Sequence, residues 1–397
     1  MHKHIEKTKL DKKLQAVFGP HAYSEGPLAT SGTGRRYVGV KLSTPLNSDQ
    51  VEFLVDSLSH FQILCISGQN FESFSLAHFE RFANHWGAPI PHPSNVRRRG
   101  ENVEWKPFKD RNVSAVNATF PDQLQCLPHT SPTVFVASNM SGPRKEGEPV
   151  SVSPGGDWHV DIECERLPIY VSMFLVHKVP ESRDAPGGTW IEAPNDIEKF
   201  GSLQENPDEE LMRLRSQLPL DGGTAYADTE AAFAALPESE QEVLERTRVH
   251  RRLNWKDEGW LAPLVRTNPR SGLKSLHSPI WNSRPAIKPP VLVEGMNAGE
   301  SRAFLDRLEK HVLQPRFRYD HTHTPGDVTI WDNYMILHNS PPIKTNIHSI
   351  DDARLLYRIS CKGEPALTLP RNDVQEWLDQ HINGGYVTPK EIIRVDK

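Results

Sequence analysis

Apolar residues recur every three or four positions in three segments of the chain, and this spacing predicts amphipathic helices. The segments are 48–61, 75–87 and 298–315. Ser48 stands where a helix-starting residue is expected in the first segment, and Gly87 closes the second. Each helix therefore has one apolar face to bury, and we expect the helices on the outside of a common core.

Between these helices, short apolar runs alternate with turn-forming residues, which predicts β-strands. A hairpin is expected around the Pro/Gly turn of segment 263–277. The 33 prolines and 25 glycines suit a fold with many turns. We therefore predict a mainly β fold with flanking helices, arranged as a sandwich or jelly roll. Strands are expected at 36–42, 61–66, 133–140, 158–163, 169–179, 316–323, 327–333 and 354–362.

The pattern divides the chain into an arm, one domain and an extension. Residues 1–35 are polar and predict a loosely held N-terminal arm, residues 36–362 a single domain, and residues 363–397 a C-terminal extension. A helical insertion is expected at 195–250. The long basic loop at 94–132 is either solvated or a lid over an anionic or aromatic substrate.

Charge and cysteine content narrow the choice of partners and compartment. The net charge of −5 gives no general attraction to nucleic acid or anionic membranes. No apolar run approaches a membrane span, and the charged N-terminus does not resemble a secretory signal. The four cysteines show neither metal-type nor disulfide-type spacing, which predicts a reducing cytoplasm. We expect a small-molecule partner, and the sequence leaves homo-oligomerisation open.

A metal site is suggested by His159 and Asp161, which a strand would project on one face. Among 18 histidines about one His-x-Asp arises by chance, so the motif alone is weak. His338, in the segment GDVTIWDNYMILH, is a candidate third ligand. Two histidines and one carboxylate leave three positions open on an octahedral metal, an arrangement that suits non-heme Fe(II). A structural zinc site would need a fourth ligand, and no cysteine is expected to offer it.

Two arginines follow the third candidate ligand. In the extended segment RLLYR, Arg354 and Arg358 share one face. Buried guanidinium groups are costly unless anions meet them, and their fork matches a carboxylate or sulfonate. The segment therefore predicts one or two anion sites beside the metal. The alternative is an edge strand from which both side chains reach solvent.

Several segments, in order, resemble the taurine dioxygenase (TauD/TfdA) family of Fe(II)/2-oxoglutarate-dependent oxygenases. They are the opening strand–helix–strand from residue 36, WHVD, LPIYVSMFLVHKVPESRDAPGGT, PLVRTNPRSGLKSL, GDVTIWDNYMILH and RLLYR, and the resemblance covers about 36–362. It implies a double-stranded β-helix (jelly-roll, cupin-like) core and the use of Fe(II), 2-oxoglutarate and O2. The implied iron ligands are His159, Asp161 and His338; Arg354 and Thr189 would bind 2-oxoglutarate, and Arg358 and His92 the substrate.

The resemblance implies a dioxygenase that hydroxylates a C–H bond of a small anionic or zwitterionic molecule and converts 2-oxoglutarate to succinate. The chain departs from the family pattern near the expected substrate site. The Gly-Gly-x-Thr turn is one residue short at Thr189, and the stretch from His338 to Arg354 is long. The substrate therefore need not be taurine. Two alternatives are a zinc-dependent hydrolase with the same ligands and a non-catalytic jelly-roll binding protein.

Overall fold

The computed structural model describes residues 3–90, 124–128, 133–139, 151–153, 157–165, 169–181, 208–218, 222–283, 288–340, 343–345, 347 and 350–369. Within these ranges the α-helices are α1 (Lys7–Phe18), α2 (Ser48–Phe61), α3 (Leu76–Ala83), α4 (Glu209–Ser216), α5 (Thr229–Ala234), α6 (Glu238–Arg246) and α7 (Ala298–Val312). Short 3-10 turns lie at Asn84–Trp86, Pro315–Phe317 and Ile350–Asp352.

Short strands make up most of the core. They are β1 (Tyr23–Glu25), β2 (Arg35–Val38), β3 (Ile63–Ile66), β4 (Ala88–Ile90), β5 (Phe135–Ser138), β6 (Ser151–Ser153), β7 (Val171–Lys178), β8 (Thr224–Asp228), β9 (Arg248–Arg251), β10 (Trp260–Pro263), β11 (Val265–Thr267), β12 (Lys274–Leu276), β13 (Leu292–Val293), β14 (Arg318–His321), β15 (Val328–Asp332), β16 (Ile336–Asn339), β17 (Ile343–Thr345) and β18 (Leu355–Lys362).

Helix starts follow local sequence signals. Asn47 caps α2 through its side chain, which accepts from the Gln50 backbone, while the Gln50 side chain accepts from the Asn47 backbone. Asn297 and Glu300 form the same reciprocal pair at α7. Both pairs satisfy backbone donors that the first turn of a helix leaves free. The predicted helices at 48–61 and 298–315 are therefore confirmed within a few residues.

The largest sheet has eight strands in the order β1-β2-β3-β15-β7-β18-β4, with β5 also paired to β18. Its pairs are antiparallel except β2 with β3. A second sheet, β14-β8-β16, lies over it. Tyr226 and Ile336 of the small sheet pack on Trp331 of the large one. The fold is mainly β with helices outside, as predicted for a jelly-roll core.

The two faces of the large sheet differ in chemistry. Met173, Tyr357 and Ile359 lie on the outer face, in a core shared with α1, α2 and α3. Along β7 and β18 the alternate positions, including Ser172 and Arg358, point to the inner face toward the small sheet. Polar groups on β7 and β18 are thus directed between the sheets, where water is largely excluded.

The N-terminal region differs from the predicted loose arm. Leu10 and Leu14 of α1 are buried in the main core, and β1 pairs with β2 as an edge strand of the large sheet. Lys3 adds ion pairs to Asp228 and Glu230. The signal for this packing in the sequence is weak, because only Leu10 and Leu14 of α1 are fully buried.

Two further expectations need correction. Segment 195–250, predicted as a helical insertion, includes β8, the central strand of the small sheet. Segment 158–163 does not form a strand: His159 makes an isolated bridge to His338, and a turn begins at Asp161. Ile162 has a φ of 48°, a left-handed conformation that ends any extended run.

Some predictions fall outside the described ranges. His92, Thr189, most of the 94–132 loop and residues 370–397 lie there. The lid and the C-terminal extension therefore stay predictions. In the part of the chain that the structure describes, no helix combines the length and apolar character needed to cross a membrane.

Candidate metal centre

The three predicted ligands meet between the sheets. His338 lies on β16, and His159 bonds to it through reciprocal backbone hydrogen bonds of 3.0 and 2.9 Å. Asp161 follows at the start of the next turn. One ligand atom from each of His159, Asp161 and His338 lies within 4.8 Å of the other two. All three side chains are buried.

The nitrogen of His159 that faces the centre is identified by a hydrogen bond. His159 Nδ1 contacts the backbone oxygen of Asp157 at 2.5 Å, which places the proton on Nδ1 and leaves Nε2 as a lone-pair donor. His159 Nε2 and His338 Nε2 lie 3.7 and 3.5 Å from Asp161 Oδ1. His159 Nε2, His338 Nε2 and Asp161 Oδ1 thus converge on one point.

The Asp161 carboxylate has a different environment at each oxygen. Oδ2 accepts a hydrogen bond of 2.6 Å from Ser172 and forms an ion pair with Arg358 Nη2. Oδ1 faces the two histidines. Burial would raise the pKa of Asp161, but Arg358 and His338 outweigh it and hold the pKa well below its usual range. The side chain is therefore an anion with one oxygen directed at the centre.

Arg354 immediately precedes β18 and Arg358 lies on it, and the two arginines have different contacts. Arg354 is buried at the start of β18, where its Nε donates to the Gly222 backbone oxygen at 2.6 Å. Arg358 reaches Asp161, and among the described residues its buried Nε has no hydrogen-bond partner. The alternative prediction, in which both arginines reach solvent from an edge strand, is therefore wrong.

The donor set suits a divalent metal. Two imidazoles and one carboxylate match the 2-His-1-carboxylate facial arrangement of non-heme Fe(II). The structure brings no fourth His, Cys, Asp or Glu ligand into this group in the ranges it describes. A metal held here would keep open positions for other ligands, as a catalytic site requires and a closed structural zinc site does not.

A buried charged cluster supports the turn after Asp161, and sequence analysis missed it. Glu163 accepts hydrogen bonds from Ser278, Ser283 and Lys288, with Arg251 3.9 Å away. Burial favours a high pKa for Glu163, but the two cations keep the pKa below its usual value. Lys288 is 125 residues from Glu163 in the sequence, so no local motif indicates that the two residues form a pair.

The family model described as "Taurine catabolism dioxygenase TauD, TfdA family" matches residues 201–359. This range contains His338, Arg354 and Arg358, whereas His159 and Asp161 lie before it.

Curated relatives align mostly over part of their length. A 2,4-dichlorophenoxyacetate dioxygenase from Burkholderia sp. (strain RASC) is 28% identical over 40% of this chain and 54% of its own. The chain thus spans about half the length of that relative. A second 2,4-dichlorophenoxyacetate dioxygenase, from Cupriavidus pinatubonensis, is 33% identical over 30% of this chain and 45% of its own. An alkylsulfatase from Acinetobacter baylyi is 23% identical over 84% of each chain.

Solved structures show the fold. A taurine dioxygenase from Burkholderia xenovorans aligns with a TM-score of 0.51, at 20% identity, over 87% of this chain and 92% of its own. The structure of AAD-2 in complex with Mn(II) and N-oxalylglycine aligns with a TM-score of 0.53, at 18% identity, over 87% and 99%. The resemblance to the TauD/TfdA family that the motifs indicated is thus also found by the family model, over residues 201–359.

Proposed function

We propose that this chain is an Fe(II)- and 2-oxoglutarate-dependent dioxygenase. The observation that carries the proposal is the buried convergence of His159 Nε2, Asp161 Oδ1 and His338 Nε2 between the two sheets. Arg358 on the inner face of β18, and Arg354 just before this strand, add the positive charge that two anionic ligands would need.

Each residue has a role in this proposal. His159, Asp161 and His338 hold the iron. Bound iron, with 2-oxoglutarate and O2, supplies an oxidant able to cleave a C–H bond while 2-oxoglutarate becomes succinate and CO2. Arg354, anchored on Gly222, holds the distal carboxylate of 2-oxoglutarate; Thr189 is proposed to assist. The two packed sheets exclude water and fix the reacting groups relative to one another.

The substrate is proposed to be a small anionic or zwitterionic molecule that is hydroxylated. Arg358 supports this because it contacts Asp161, and its buried Nε has no hydrogen-bond partner in the part of the chain that the structure describes. His92 is proposed as a second substrate contact. Relatives named for 2,4-dichlorophenoxyacetate, for (S)-phenoxypropionate and as an alkylsulfatase are compatible with an acidic substrate. The free cysteines support a cytoplasmic location, which belongs to the same proposal.

The test measures succinate release from 2-oxoglutarate with Fe(II), 2-oxoglutarate or O2 omitted in turn. The assay contains no primary substrate and relies on the slow turnover that we expect under this condition. We expect succinate only when all three are present, and none from Asp161→Ala, which lacks the carboxylate ligand. Undiminished succinate release after chelation of the metal, or without oxygen, would show that the proposed function is wrong.

A further inference from the structure

A chain of four buried side chains leads from the large sheet to the metal-facing carboxylate. Trp331 Nε1 donates to Asn333 Oδ1 at 3.2 Å. Asn333 Nδ2 donates to Ser172 Oγ at 3.1 Å, and Ser172 Oγ donates to Asp161 Oδ2 at 2.6 Å. Trp331, Asn333 and Ser172 are each 0% exposed. Water therefore cannot replace any of these contacts easily.

The direction of every bond in this chain follows from its ends. An indole N–H can only donate, so Asn333 must turn its oxygen toward Trp331 and its NH2 toward Ser172. An ionised carboxylate can only accept, so the single hydroxyl proton of Ser172 points to Asp161. Ser360, whose Oγ lies 3.0 Å from Ser172 Oγ, is then a second donor to Ser172.

We propose that Ser172, oriented by Asn333, is a positioning residue that keeps Asp161 bound to the metal through Oδ1 alone. The inference rests on the proposed function, because it requires a metal at the triad. With Oδ2 held by Ser172, the carboxylate cannot rotate to chelate through both oxygens. A chelating carboxylate would take one of the three positions that the co-substrate and oxygen need.

Arg358 also contacts Asp161 Oδ2, but we expect only the Ser172 contact to persist when substrate binds. The Arg358 side chain is 19% exposed and reaches from the inner face of β18, where the proposed substrate anion would draw on it. Ser172 lies in the large sheet on β7, is 0% exposed, and can accept from both Asn333 and Ser360, which leaves its own proton for Asp161. Ser172 is therefore the contact that holds Oδ2 whether or not substrate is present.

The test measures Co(II) binding to the metal-free full chain, without co-substrate, by titrating the visible Co(II) absorption bands. Ser172→Ala removes the donor to Oδ2. Asn333→Asp keeps the shape but replaces the donating NH2 by an oxygen, so the Ser172 hydroxyl turns away from Asp161. We expect each change to raise the Kd for Co(II) about 10- to 100-fold, the usual effect of losing an outer-shell partner of a metal ligand. The band intensities should also change as the carboxylate rearranges.

Two controls separate positioning from general packing. Ser360→Ala removes a hydroxyl that touches Ser172 but leaves Asn333 to orient it, and we expect the Kd within about twofold of wild type. Ser172→Thr keeps the hydroxyl and should bind Co(II) nearly as wild type does. Thermal unfolding of each metal-free variant shows whether the fold itself has changed.

The outcomes distinguish this inference from the function on which it rests. If wild type binds Co(II) and Ser172→Ala and Asn333→Asp bind it equally well, the positioning role is wrong while the metal centre stands. Equal losses in Ser360→Ala would also overturn it, since they indicate packing alone. If wild type binds no Co(II), both the centre and the positioning role are wrong.

Discussion

At the scale of single residues, burial decides the protonation state of Asp332. Asp332 is fully buried at the end of β15, where it accepts hydrogen bonds from Asn268 Nδ2 at 3.1 Å and from the Tyr334 backbone at 2.7 Å. Burial raises the pKa of Asp332 to about 7, and these hydrogen bonds offset burial only in part. The folded protein therefore holds this carboxyl neutral where the unfolded chain ionises it.

The raised pKa of Asp332 predicts that stability falls as pH rises. The contribution is complete below the unfolded pKa of 3.8 and is lost as pH passes the folded value of about 7. Between pH 5.5 and 8.5 the loss is about 2 kcal/mol. Urea unfolding of wild type and Asp332→Asn at both pH values measures it. The free energy of unfolding of Asp332→Asn should not show this loss between the two pH values. An equal loss in wild type and variant would contradict the raised pKa of Asp332.

Arg354 and Arg358 should separate by role. Losing a charge-assisted contact costs about 2–4 kcal/mol, so Arg354→Gln should weaken 2-oxoglutarate binding by tens- to hundreds-fold. Arg358→Gln should leave that affinity nearly unchanged when the metal is saturating. Anaerobic titration of 2-oxoglutarate into the iron-loaded variants, followed by its metal-to-ligand absorption, measures both. A larger loss in Arg358→Gln would reverse the two assignments.

At the scale of elements, the turn after Asp161 depends on a buried ion pair. Lys288 and Glu163 are both buried, and removing the lysine leaves a carboxylate without its closest cation. We expect Lys288→Met to lower the free energy of unfolding by about 3–5 kcal/mol. The control is Lys274→Met, whose pair with Glu245 is exposed and should cost less than about 1 kcal/mol. Similar losses in urea unfolding would show that the cluster contributes little.

Helix α1 should contribute to the stability of the main sheet. Leu14 is 0% exposed in the core, whereas Lys13 beside it is exposed. Leu14→Ala should lower the free energy of unfolding by about 2–5 kcal/mol, because it removes buried methyl groups and leaves a cavity. Lys13→Ala should have little effect. If both variants unfold at the same urea concentration as wild type, residues 7–18 do behave as a loose arm.

At the scale of the whole molecule, a metal would join distant parts of the chain. His159 and Asp161 lie near the middle of the sequence and His338 on β16, so the ligand set exists only in the folded state. Binding to that state alone adds about 2.7 kcal/mol at a ligand concentration of 100 Kd. Co(II) should therefore raise the Tm of wild type and leave that of Asp161→Ala unchanged; an equal rise in both would place the bound ion elsewhere.

Local patterns in the sequence determined two of the helices and one hairpin. Periodicity and end signals predicted α2 and α7, and the hairpin of β11 and β12 followed from its Pro/Gly turn. The same analysis selected His159, Asp161 and His338, because residue type limits which side chains bind a metal. The strand assumed at 158–163 is not needed for this site, because a backbone bridge between His159 and His338 brings these two ligands together.

Only the tertiary structure decided how these residues are oriented. Ser172 and Asn333 are ordinary polar residues in the sequence, 161 positions apart, and act on Asp161 only because β7 and β15 are adjacent. The partners of Glu163 and the raised pKa of Asp332 likewise depend on burial against distant segments. Hydrogen bonds and desolvation act through space over a few ångströms, and the neighbours that create them are set by chain packing, which a local pattern does not record.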